Sequence, residues 1–135
     1  MFTPPKTARI HDIFSDNIND DGSPAGTGAR TVQVFGITSA GLVSEIVTMN
    51  GVTNVATVNA YNDIYKMIVY TAGSGGTNAG IITAKAQTDA TVTASITVNG
   101  YNTSFRGIRY IPTGYKAYIF NWYASMIQNT TGYTA

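Results

Sequence analysis

Residues 70–86 begin with an aromatic strand end, pass through Gly73, Gly75 and Gly76, and resume in the β-branched run Ile81, Ile82, Thr83. Tight turns flanked by short β-branched and aromatic runs leave a chain little choice but antiparallel strands. A second segment, residues 111–123, repeats the logic with Pro112 and Gly114 between runs rich in Tyr, Ile, Phe and Trp. Charged residues are only 11% of the chain, against 14 Gly and 9 Tyr. Helices are normally built with more Lys and Glu and with fewer Thr, Val and Gly. The expected class is all-β: an antiparallel β-sandwich, jelly-roll-like, with an extended N-terminal arm.

A length of 135 residues with 44% hydrophobic content suits one core. The formal net charge of +1 supplies no field for gathering phosphates or anionic lipids, so nucleic-acid and membrane partners are not expected. There is no cysteine, which excludes disulfides and thiolate metal sites. The first ten residues hold no apolar stretch of signal-peptide length, and no run is long enough to span a bilayer as a helix.

Residues 1–29 read as an arm or linker. Pro4 and Pro5, a glycine-rich end and four of the seven acids (Asp12, Asp16, Asp20, Asp21) fall here, with no sustained period. Ile10, Ile13, Phe14 and Ile18 interrupt the polar sequence at a spacing that suits one short helical turn or a few assembly anchors inserted into a neighbouring surface, and an arm that orders on a partner is the preferred expectation. The β domain occupies residues 30–135, and its abrupt end implies continuation in a longer chain or completion by a neighbour.

Within that domain residues 31–35 and 42–49 are strands. Asn50-Gly51 is a hairpin turn leading to a return strand over 55–58. Residues 64–71 carry apolar groups on both faces, which predicts a central strand. Gly73 to Gly76 reverse the chain as a hairpin loop into residues 81–86. Residues 91–98 alternate, with Val92, Ala94, Ile96 and Val98 inward. Residues 105–111 and 116–123 form a last hairpin through Pro112 and Gly114.

Chemistry has few footholds. His11 is the one histidine, so a His-based triad or multi-His metal site needs a second chain, and the bland reading is a solvated arm residue. Residues 17–22 resemble the start of a calcium loop, but with Gly22 in sixth place the twelfth position is Gly28, not a carboxylate. Glu45, Asp63 and Asp89 are scattered along the β region, which gives paired-carboxylate hydrolysis no support. The expectation is a non-enzyme without cofactor or metal. Arg106, Tyr115 and Trp122 are candidates for surface binding of a glycan or receptor, with Tyr118 on the same strand face as Trp122.

Residues 71–84, followed by 107–119 and an aromatic, Trp-containing end, resemble a family of virion structural proteins of tailed bacteriophages, common in marine phages. In that family a Thr-Ala-Gly-Ser-Gly-Gly-Thr-Asn-Ala-Gly loop precedes a strand, and a Tyr-x-Ile-Pro-x-Gly-x-x-Ala-Tyr hairpin closes a β-sandwich; the match runs from about Leu42 to Ser125. The resemblance implies a virion component, either a capsid decoration, a head fibre or a tail part. It would be partnered by other virion proteins and by copies of itself, with a homotrimer favoured. A tail or fibre adhesion module is the alternative it leaves open.

Overall fold

The computed structural model describes residues 7–103 together with 111, 114, 116 and 118. Among these the protein is all-β, with no helix. Its seven strands are β1 His11–Ser15, β2 Ala29–Thr38, β3 Gly41–Thr48, β4 Val55–Ala56, β5 Asp63–Ala72, β6 Ile82–Ala86 and β7 Val92–Ile96. They form two antiparallel sheets, ordered β4-β1-β6-β7 and β3-β2-β5. The inward residues of both sheets share one buried cluster built on Ile13, Val32, Val34, Ile64, Met67, Ile82 and Ile96. Burying each of these side chains contributes roughly 1.5–3 kcal/mol relative to leaving it in water.

Strand β2 shows why the alternation works. Val32, Val34 and Gly36 are buried while Gln33, Phe35 and Ile37 are only partly so, as a period of two demands. Gly36 is required by packing, since a Cβ there would run into the Tyr61 ring. On the outer face Lys66 lies 5.5 Å above the Phe35 ring. The hairpin to β3 closes with Thr38 opposite Gly41.

Several expectations are corrected. Residues 11–15 are not on an arm: β1 is an interior strand, paired to β4 on one side and β6 on the other. Its inward positions are His11, Ile13 and Ser15. Two of the three are polar, which hid the alternation. Residues 16–28 likewise belong to the body of the domain, because Asp20 is completely buried. The segment at 55–58 does not return along β3. Only Val55–Ala56 is a strand, and it pairs with β1, while Gly51 bonds instead to Asp20 and Ser15 through its main chain.

The centre of the three-stranded sheet is β2, not β5. A register shift lets Ile64 pair with Gly36 and Lys66 with Phe35, skipping Tyr65. This bulge turns Ile64 and Met67 into the core together, although an unbroken strand would put them on opposite faces. The outer edge of β5 is bonded by a short segment, Val69 N–H to Tyr101 O and Thr103 N–H to Met67 O. Gly73 to Gly76 do not form a hairpin, because β5 and β6 lie in different sheets; the loop crosses between them. It is held by Gly73 N–H on Gly28 O and Gly75 N–H on Thr27 O. In β7 Ala94 and Ile96 face inward as the pattern implied, but Val92 and Val98 are half exposed and Thr93 is buried. A shift in the β6–β7 pairing after Ala84 accounts for the change at Val92, and the strand ends before Val98.

Candidate functional site

The polar side chains of the interior converge in two places. The first is the carboxylate of Asp20, fully buried where three segments meet. Oδ1 accepts the N–H groups of Ala29 and Ala79, each at 2.7 Å. Oδ2 accepts the Ser15 hydroxyl at 2.6 Å and the Gly80 N–H at 2.9 Å. Four donors occupy the four acceptor directions a carboxylate offers. The group is therefore a clasp that binds the end of β1, the start of β2 and the loop before β6, and it has no lone pair left for a metal or a proton in transit. Close approach is needed throughout: a Cβ on Gly28 would overlap Asp20 Oδ1, and one on Gly80 would overlap Asp16 and Ser15 oxygens.

Asn78 complements it from the adjacent loop. Its Nδ2 donates to Gly80 O and Thr97 O, both at 2.7 Å. Its Oδ1 accepts from the Thr77 hydroxyl at 3.0 Å and Tyr101 N–H at 3.3 Å. The identities follow from the surroundings: position 20 is met only by donors and takes an acid, whereas position 78 is met by two carbonyls and two donors and takes an amide.

The second cluster gathers at the opposite end of β1. The His11 ring is buried; its Nδ1 bonds the Arg9 carbonyl at 2.9 Å and its Nε2 has no partner. Burial is the main force on its titration and lowers its pKa below 6.5. The Arg9 carbonyl opposes this, the Arg9 charge adds to it, and Asp89 and Asp63 pull upward. The Arg9 guanidinium is itself 7% exposed and meets Asp89 at 2.5 Å. The Asp89 carboxyl is lowered first by the Thr91 N–H and further by the Arg9 charge. Tyr61 stands edge-on to His11, with ring centroids 6.2 Å apart, and donates its hydroxyl to Glu45 at 2.8 Å. Glu45 also accepts the N–H groups of Val58 and Asn59. Burial followed by the Glu45 contact pushes the Tyr61 phenol far above its usual range.

The structure thus brings together residues that look unrelated in sequence. Asp63 and Asp89, separated by 26 positions in a chain read as having scattered acids, both act on His11, while Glu45 is spent on the β4–β5 connection. Among the described residues no three His, Asp or Glu side chains assemble as metal ligands. His11 is not a solvated residue, and the loop at 17–22 turns its acid inward as a hydrogen-bond acceptor rather than outward around an ion.

The proposed anchors separate. Ile13 is wholly buried in the core, Phe14 lies under Lys85 at 5.1 Å, Ile10 is half-buried, and only Ile18 projects, 72% exposed. Arg106, Tyr115 and Trp122 lie outside the described residues; of that surface group only Tyr118 is described, and it is exposed. Sequence reasoning missed Asp20, Asn78 and Tyr61. The one local signal was the company they keep, Asp20 and Asn78 each lying within two residues of a glycine that admits close main-chain approach. Compared with family models, curated proteins and solved structures, the chain matches none of them.

Proposed function

We propose that this chain is a non-enzymatic structural protein of a tailed-bacteriophage virion, a capsid-associated decoration or head-fibre module whose two sheets form a jelly-roll-like sandwich. The observation that carries this reading is how the interior polar groups are used. The carboxylate of Asp20 and the amide of Asn78 are each saturated by local main-chain and hydroxyl groups, and Glu45 accepts three such bonds, so their hydrogen-bonding capacity goes into holding loops rigid. A rigid, weakly charged β module suits a component packed in many copies on a particle. The glycine-rich segment and the Tyr-x-Ile-Pro-x-Gly motif supply the family likeness.

Its partners are other virion proteins and further copies of itself. Attachment is assigned to the N-terminal segment through the exposed side chain of Ile18, since Ile13 is consumed by the core. Imaging of phage particles carrying a labelled copy tests the reading. Label spread over the head supports a decoration or head fibre, label at one vertex moves the protein to the tail, and particles without label refute a virion role.

A further inference from the structure

The outer edge of β3 is an edge of the three-stranded sheet. The two-residue turn at Ser39 and Ala40 makes Thr38 and Gly41 the hydrogen-bonded pair that closes the β2–β3 hairpin. Antiparallel pairing alternates, so the N–H and C=O groups of Leu42, Ser44, Ile46 and Thr48 point away from β2. No other strand of the described residues pairs with this edge. Edge strands ordinarily carry lysine, proline or a bulge that stops another strand from adding. Strand β3 has none of these: its pairing with β2 is unbroken over eight positions. Its single charge, Glu45, is directed inward and already accepts from Val58, Asn59 and Tyr61. Strand addition would therefore strand no charge.

We infer that two copies of this chain associate through β3 in antiparallel fashion, about a two-fold axis at Ser44, joining their three-stranded sheets into one of six. In that register Leu42 of each copy faces Ile46 of the other and Ser44 faces Ser44. The residues brought opposite are those whose main-chain groups point outward, so the hydrogen-bonding phase and the two-fold axis agree. The side chains agree as well. Leu42 is 75% and Ile46 50% exposed, and both lie on the outer face, where they meet as apolar cross-strand pairs. Val58, 88% exposed and held beside the edge by its bond to Glu45, adds apolar surface on the other side. Each copy carries a formal charge of only +1, so mutual repulsion is slight. An extended peptide of another protein could satisfy the main chain, but a second copy necessarily presents matching apolar residues at both ends of this register. The symmetry is two-fold, which departs from the trimer favoured by resemblance and does not depend on a virion role.

The test is the mass of the full chain in solution by light scattering and sedimentation. The expected result is a dimer forming with a midpoint on the order of 1–100 μM, as befits a small interface. Leu42→Glu or Ile46→Lys alone, both at exposed positions where circular dichroism should report an unchanged fold, should weaken association about ten-fold, because each substitution spoils both apolar cross-strand pairs of the two-fold register. The double variant should regain it, because the introduced carboxylate of each copy faces the introduced ammonium of the other. The inference is overturned by a monomer at about 200 μM, well above the expected range. It is equally overturned by a trimer or dimer whose mass ignores both single variants, or by a double variant no tighter than the singles.

Discussion

Replacing Asp20 by Asn keeps the size of the side chain but exchanges one acceptor oxygen for a donor and removes the charge. The amide can turn so that its oxygen still receives Ala29 and Ala79 N–H, and the Ser15 hydroxyl can rotate to accept from the new Nδ2. The Gly80 N–H cannot adapt. At 2.9 Å from the former oxygen it now faces another donor, and a buried N–H left unpaired costs about 1–3 kcal/mol. The two retained bonds lose their charge assistance, roughly another 1 kcal/mol each. Relief of the desolvation penalty on a buried charge works in the opposite direction. The net loss is about 2–4 kcal/mol, enough to lower the melting temperature by about 10 °C in a domain of this size. Urea denaturation followed by circular dichroism measures it. Asp16→Asn is the internal control, since Asp16 is exposed and accepts one N–H, from Ile81; it should cost less than about 1 kcal/mol. If Asp20→Asn fell within that same margin, the clasp would be incidental and the reasoning wrong.

The neighbouring amide should be as intolerant of the reverse substitution. Asn78→Asp sets an oxygen against Gly80 O and Thr97 O, and a loss of at least about 3 kcal/mol is expected from two broken bonds and acceptor repulsion, measured by the same denaturation series. For His11, burial holds the folded pKa below 6.5, so the unfolded chain binds the extra proton first. The associated stability is complete above 6.5 and drains as pH falls from there through the folded-state pKa. Denaturation midpoints between pH about 7.5 and about 5 should show this slope in the parent, and His11→Gln should flatten it; an unchanged slope would mean that His11 does not couple to folding.

What could be read without a structure was mostly local. Low charge, turn dipeptides and period-two runs identify an all-β chain, and they locate β2, β3, β5, β6 and β7 within a few residues, because strand propensity and turn chemistry act between near neighbours. Strand β1 escaped because two of its three inward residues, His11 and Ser15, are polar. Their burial makes sense only once the Arg9 carbonyl, Asp20 and Thr57 are present to bond them. The bulge at Tyr65 is likewise invisible locally, since nothing near it in sequence requires Ile64 to switch faces.

The sequence by itself therefore determined the kind of structure: strands, turns, a weakly charged surface and the absence of thiol chemistry. Tertiary structure decided which strand lies beside which, that a segment resembling an arm is an interior strand, and that the acids at 20 and 45 are acceptors for main-chain donors. The division has a physical cause. Backbone preference is a property of a residue and its neighbours, whereas the environment of a buried carboxylate is made by groups up to 60 positions away, as with Asp20 and Gly80, and exists only after the chain has closed around it.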